Sequence, residues 1–421
     1  MSNVLEISPI TRVEGHGRIK IVRTADKVEK VTLSFYESPR FFEALLKGKS
    51  YAELPEIICR ICSLCSTVHR ICALQAIEKA MHVEVSLQTR LYRELILNGG
   101  HIQSHALHLF CLVLPDLFNV SGLSGLTGQA QEELKRGLRI KATGNLIQET
   151  VGGRLIHPVT LIPGGMGKPV NKEGLSKLKE NLQNTMPETL RAFELFSSFH
   201  PNDEKLAKPN YLAVRSETKS LFLGDALAME NGETVPAELY LKILCEQVIG
   251  ENNAKTTLVN GEPPTVGALA RLNLGMRLPP MANTAFQERR LSLKGADIRA
   301  NNLAQAVELI FAVERSLEIV DILLDASFIR EEPARIVPRS GMGSAAVEAP
   351  RGVLVHSYGF DSRGICTQAD IITPTAINQA AMERDLVTLA KRMEGADDEE
   401  LTKALEQLVR AYDPCISCAV H

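Results

Sequence analysis

Hydrophobic and polar positions alternate in two runs near the start of the chain, "GRIKIVRT" (17–24) and "VEKVTLSFYE" (28–37), both rich in Val, Ile and Thr. A period of two with those residues predicts strands. From Tyr51 the spacing changes. "QTRLYRELILNGGHIQSHALHLFCLVL" (88–114), "EGLSKLKENLQNTMPETLRAFELFSSF" (173–199) and "NNLAQAVELIFAVERSLEIVDILLDA" (301–326) carry apolar residues three and four apart, the period of helices. The last of these is apolar around much of its circumference, which predicts a central bundle helix. "KPNYLAVRSETKSLFLGDALAMENGETVP" (208–236) returns to short strands and turns. The segment after residue 330 reads as Gly/Pro loops and short strands, then a charged helix, "DDEELTKALEQLVRAY" (397–412). The expected fold is mainly α with small β appendages. It forms one domain over 1–421: a β-rich stretch (1–50), a helical core (51–330) with a β insert near 205–240, and a loop-and-strand segment (331–421).

Composition narrows the class. An apolar fraction of 45% suits a globular chain with a sizeable core, and a net charge of -3 offers no basic stripe for nucleic acid. The longest apolar stretch, "ALHLFCLVL", holds His108 and stops at Pro115, far short of a membrane span. The N-terminus shows no signal-peptide pattern, so the expected location is cytoplasmic. There the 9 cysteines stay reduced, as core fillers, ligands or reactive thiols.

Four of them stand in two Cys-x-x-Cys pairs: Cys62 and Cys65 in "RICSLCSTVH", Cys415 and Cys418 in "DPCISCAVH". Each pair is followed by a histidine, His69 or His421. Two pairs supply four thiolates, enough to close a metal site. Zinc ribbons usually bring their pairs within about 15–20 residues of each other, whereas here most of the chain intervenes. A zinc staple joining distant segments remains an alternative. Soft thiolates disfavour magnesium and calcium and favour zinc, iron, nickel or copper. Cys59, Cys72, Cys111, Cys245 and Cys366 lack ligand spacing. "GMGSAA" (341–346) mimics a dinucleotide loop but lacks the flanking strand, long helix and ribose-binding acid.

The two cysteine motifs resemble those of the large, catalytic subunit of nickel–iron hydrogenases. So do "RVEGHGR" (12–18), "PRFFEALLKGK" (39–49), the stretch around 105–118, "EAPRG" (348–352) and "DIITPTAIN" (370–378), which together span the chain. Ser63 departs from the family, where glycine is frequent. "RICSLCS", "NNLAQA" and "DIITPTA" look closest to the soluble, cytoplasmic NAD(P)-linked sulfhydrogenase branch.

The resemblance implies a helical bundle with both cysteine pairs at its core, and reversible heterolytic cleavage of dihydrogen to protons and electrons. Cys62 and Cys415 would be terminal nickel ligands. Cys65 and Cys418 would bridge to an iron carrying carbon monoxide and cyanide. Cys415 and Glu14 would handle protons, with Glu14 a buried carboxyl beside the Cys415 sulfur. Arg351 would sit over the open face between Asp116 and Asp413. Pro350 and Thr375 would line the diatomic-ligand pocket, and His69 would donate to a bridging sulfur. Glu43, the Ile371 carbonyl and His421 would hold magnesium. A chain ending at His421 resembles the form left after removal of a C-terminal tail. No further cluster-binding cysteines are evident, so the resemblance also implies an iron–sulfur small subunit and flavin/NAD(P) subunits as partners. The competing readings are a metal-free or zinc-stapled hydrogenase-like structural subunit, and a relative linked to deazaflavin or heterodisulfide reduction.

Overall fold

The computed structural model describes residues 2–24, 27–198, 206–249, 252–325 and 331–421. Phe199 and Ala326, at the ends of two predicted helical stretches, fall outside them. The alternating runs do form strands. Ser2–Ile7, Gly17–Thr24 and Lys27–Phe35 make an antiparallel sheet in sequence order. Its inward residues, Ile19, Ile21, Val31, Leu33 and Phe35, join a core with Met382 and Leu386 of the Pro374–Arg392 helix and Leu401, Leu405 and Leu408 of the Asp398–Ala411 helix. The chain's first and last segments are therefore packed together.

The main core is built by the helices Ser66–Met81, Leu87–Leu107, Gln129–Gly152, Lys172–Ser197 and Asn301–Asp325. Asn301–Asp325 is central: it packs on both Leu87–Leu107 and Lys172–Ser197, and its first thirteen residues are all buried. Leu87–Leu107 starts where Ser86 Oγ accepts the Thr89 N–H (3.0 Å). It crosses Gln129–Gly152 very closely, since a Cβ on Gly144 would lie 2.6 Å from the Gly99 carbonyl oxygen. Beyond it, His108–Val113 forms one π turn, a local irregularity frequent at functional sites. Among the described residues, no helix is long and apolar enough to cross a membrane.

A second antiparallel sheet, Gly341–Ala349, Gly352–Phe360 and Cys366–Ile372, positions much of the site. Ala349 pairs with Gly352, which leaves Pro350 and Arg351 as the hairpin tip. Gly352 adopts φ 126° there, and a Cβ would sit 2.5 Å from Val266, so only glycine fits. All of Gly352–Phe360 is buried. The Ser66–Met81 helix packs against this sheet, and apolar residues of the insert, including Leu212, Val214 and Leu227, share a core with Val353 and Val355. "GMGSAA" forms the start of Gly341–Ala349.

Two predicted boundaries differ. The β insert runs on past 240 to Thr265, whose short strand pairs parallel with Asn210–Arg215. The segment after 330 also contains the helix Pro374–Arg392, which the loop-and-strand expectation omitted. Its start is encoded: Pro374 stands at the first turn, where the missing N–H costs nothing.

Candidate metal centre

The four motif cysteines converge. Cys62 and Cys65 sit just before the Ser66–Met81 helix, and Cys415 and Cys418 flank the start of a single helical turn, Ile416–Ala419. Their sulfurs all lie within 4.8 Å of one another, and all four residues are buried. Cys62 Sγ is 3.5 Å from Cys415 Sγ, and Cys415 Sγ is 3.0 Å from Cys418 Sγ. None is in a disulfide. The remaining cysteines form no such group among the described residues; Cys59, Cys72 and Cys366 are buried, Cys111 is half-buried and Cys245 exposed.

Thiols this close cannot all lose their protons without a cation. Hydrogen bonds from Cys415, Cys418 and Cys65 pull Cys62 well below its ordinary value. Cys415 is pushed well above by its bonds to Cys418, Cys62 and Cys65 and by burial. Cys418 also rises: the bond from Cys415 lowers it, but Cys62, Cys65 and burial outweigh that. Four buried sulfurs converging on one point suit a soft divalent metal, which would carry the missing positive charge. The donor set therefore fits nickel, with two sulfurs available to a second metal.

Arg351 reaches over the sulfurs from the hairpin tip. Its guanidinium donates to Asp413 Oδ1 (3.0 Å), the Asp413 carbonyl (3.2 Å), Ser104 Oγ (2.9 Å) and Cys65 Sγ (3.6 Å). Burial opposes its charge, and Asp413 with the thiolates outweighs that. The expected second carboxylate is elsewhere. Asp116 pairs with Arg12 (2.6 Å) and Arg410 (2.8 and 3.0 Å), so both its oxygens are taken in tying the N-terminal loop to the Asp398–Ala411 helix. Ser104, not Asp116, completes the Arg351 fork.

Behind the tip lies a set of residues that the sequence reading missed. Arg271 donates to the carbonyls of Ala349 and Pro350 (3.2 Å each), to both oxygens of Glu308 (2.6 and 2.7 Å) and to Glu348. Burial would raise Glu308, yet Arg271 holds it at about 2. Burial dominates for Glu348, which meets Arg271 through one oxygen and is pushed up to about 7.

Glu14 lies alongside Cys415 in a parallel backbone bridge, and its carbonyl accepts the Ile416 N–H (3.1 Å). Gly15 makes this approach possible, because a Cβ there would meet Ile416 Cβ at 2.6 Å. Glu14 is half-buried rather than buried, and its carboxylate accepts from the Ser417 N–H (3.1 Å) and the Ser417 hydroxyl, one residue along from the expected sulfur. Arg12 and Arg18 go to Asp116 and Glu6 instead. Ser417 Oγ also meets Glu37 (3.3 Å), and Glu37 meets the exposed His16 (2.9 Å).

Thr375 Oγ accepts the Cys415 N–H (2.9 Å), leaving its own proton to donate. His69 Nε2 is 3.6 Å from Cys418 Sγ. Glu43 and His421 meet at one corner: His421 Nε2 lies 3.8 Å from Glu43, which accepts the Ile371 N–H (3.0 Å). Lys255, absent from the sequence reading, is 3.5 Å from Glu43 and 2.9 Å from Glu246. Burial would raise Glu43, but His421 and Lys255 hold it at about 2.

A helical fold closing four buried thiols beneath a fixed arginine defines a protein with an enclosed soft-metal site. The family profile described as nickel-dependent hydrogenase matches residues 40–137 and 261–421, and a HoxL-like profile matches residues 4–34. The chain is 39% identical to the sulfhydrogenase 2 subunit alpha of Pyrococcus furiosus and 37% identical to the sulfhydrogenase 1 subunit alpha of the same organism, each over 99% of this chain and over 99% and 97% of the relative. Its fold superposes on a crystal structure of an NAD+-reducing [NiFe]-hydrogenase in the H2-reduced state with a TM-score of 0.91, at 26% identity, covering 100% of this chain and 99% of the other. The chain belongs to the nickel-dependent hydrogenase family. It is a hydrogenase large subunit, an oxidoreductase acting on dihydrogen.

Proposed function

We propose that this chain is the hydrogen-activating subunit of a soluble, hetero-oligomeric hydrogenase, with Cys62, Cys65, Cys415 and Cys418 holding a nickel–iron centre whose iron carries carbon monoxide and cyanide. The observation that carries the reading is the cluster of four buried sulfurs under Arg351. When bound, the centre supplies the redox chemistry that splits dihydrogen. The chain's own residues do the rest. Arg351 excludes water and presents fixed positive charge above the sulfurs. Thr375 and the Pro350 tip wall the pocket and offer a hydroxyl donor. Glu14 takes the proton released beside Cys415 and passes it to Ser417, from which Glu37 and His16 lead to the surface.

Glu43 and His421, with the Ile371 carbonyl, would hold a magnesium ion that braces the C-terminal turn. Histidine is an unusual ligand for so hard a cation. Lys255 adds a positive charge on the same carboxylate.

Among the described residues no second group of cysteine sulfurs could hold an electron-carrying cluster, so electrons leave through a partner. An iron–sulfur small subunit is the natural acceptor, and the similarity to sulfhydrogenase alpha subunits and to an NAD+-reducing enzyme supports flavin and NAD(P) subunits beyond it. Metal analysis of the purified complex together with an infrared spectrum tests the proposal. One nickel at this site, with sharp bands from iron-bound carbon monoxide and cyanide, is expected. Zinc at the four cysteines, or no metal and no such bands, refutes it.

A further inference from the structure

The cysteines are not the end of the buried polar chain. His69 Nδ1 is 3.1 Å from His356 Nε2, and His356 Nδ1 is 2.7 Å from the Tyr358 hydroxyl. His356 and Tyr358 are two apart in the strand Gly352–Phe360, so both face the Ser66–Met81 helix that carries His69. All three side chains are fully buried. With the His69 contact to Cys418 Sγ at 3.6 Å, this makes a continuous line of hydrogen bonds from Tyr358 to a metal-binding sulfur.

The direction of that line follows from counting protons. A metal-bound Cys418 is a thiolate and has no proton to give, so His69 Nε2 must carry one. Both rings are fully buried and, among the described residues, neither has a carboxylate as a hydrogen-bond partner, so each is neutral and bears a single N–H. His69 Nδ1 is then a bare acceptor and needs a donor, which His356 Nε2–H supplies at 3.1 Å. His356 Nδ1 is bare in turn, and the Tyr358 phenol, kept protonated by burial, donates to it. Every site is satisfied in one direction. Reversed, the line would aim a lone pair of His69 at an anionic sulfur.

We propose that His356 and Tyr358 are positioning residues that lock His69 in the tautomer whose Nε2–H donates to Cys418, and so set the electron density on that metal-bridging sulfur. The inference rests on the nickel–iron reading above. Partners of a ligand's hydrogen-bond donor tune a metal in this way. A weaker donor leaves the sulfur, and the metals it bridges, more electron-rich. The carbon monoxide band should then move to lower frequency and the midpoint potential should fall.

Infrared spectroscopy and redox titration of the intact complex test this in three variants. His356→Leu removes the donor to His69 and should shift the band and potential as stated. His356→Gln places an amide N–H where Nε2 stood and should restore both toward wild type. Tyr358→Phe, the mildest change, should move them in the same direction as Leu but less. It also decides the matter if the Leu protein does not fold. Wild-type bands and potential in a metal-replete Tyr358→Phe or His356→Leu protein overturn the proposal, as does a Gln protein displaced as far as the Leu protein. Wild-type complex without nickel, iron and diatomic bands would instead overturn the nickel–iron reading itself.

Discussion

Arg351 is held at three places, the Asp413 carboxylate, the Asp413 carbonyl and Ser104, and a planar fork is what lets one side chain meet all three. Lysine would keep the charge but aim it loosely. Arg351→Lys should retain both metals and lose about two decades or more of hydrogen-uptake rate, read by activity per nickel. Wild-type turnover per nickel would remove Arg351 from the proposed mechanism. Glu14 makes a sharper case, because Glu14→Gln keeps the size and most of the contact with Ser417 while ending proton relay. The variant should hold its metals and lose hydrogen–deuterium exchange with water. Substantial exchange in the metallated Gln protein would show that protons leave elsewhere. At this scale, the residues legible in contiguous motifs and brought together by the fold are the four cysteines, Arg351 and Asp413. Arg271, Lys255, His356 and Tyr358 were not readable. Arg271, Lys255 and His356 each meet the site through a residue far away in sequence, His69 being 287 positions from His356, and Tyr358 reaches it only through His356. The Asp116 assignment failed for the same reason: spacing cannot tell which of three arginines, Arg12, Arg351 or Arg410, a lone aspartate will meet.

Elements explain why glycine occupies the places it does. The Leu87–Leu107 and Gln129–Gly152 helices touch backbone to backbone at Gly99 and Gly144, with no room for a methyl group. Gly144→Ala would gain helix propensity at that position, yet overpacking should prevail. A loss of about 1–3 kcal/mol is expected by urea denaturation, and an unchanged or higher midpoint would contradict the close crossing. Hydrophobic period identified the Leu87–Leu107, Lys172–Ser197 and Asn301–Asp325 helices and the Gly17–Thr24 and Lys27–Phe35 strands, but not the Ser66–Met81 and Gln129–Gly152 helices. It failed for Pro374–Arg392, where the core-facing residues of both its sides, Ile377, Ala381, Met382 and Leu386, are interleaved with buried polar Asn378, Gln379 and Asp385. The amphipathic signal is blurred where a helix packs against several layers at once.

Across the whole molecule, the buried triad of Arg271, Glu308 and Glu348 joins a short helix, the central helix and the second sheet directly behind the Arg351 tip. Its two carboxylates act oppositely on stability. Glu308 is depressed from 4.5 to about 2, so it stabilises above pH 4.5 and loses that contribution as pH falls toward 2. Glu348 is raised from 4.5 to about 7. The unfolded chain releases this proton first, so stability declines as pH rises from 4.5 to 7 and levels off above. Glu348→Gln abolishes that second limb. Between pH 5 and 8 the wild type should lose on the order of 3 kcal/mol more than the variant, measured by urea midpoints at both values. Parallel pH profiles would show that Glu348 is ionised throughout.

The separation of the two cysteine pairs has a consequence for how the protein is made. Cys62 and Cys415 are 353 positions apart, and translation runs at about 5–20 residues per second. The first pair therefore leaves the ribosome roughly 20–70 s before the second exists. For that interval the nascent chain displays two reactive thiols with no arginine above them and no counterpart opposite. They are open to stray zinc, to copper or to oxidation into a disulfide. Guarding an unfinished half-site is thus a task that falls on the cell, and a chain stalled before residue 415 would be a scavenger of the wrong metals.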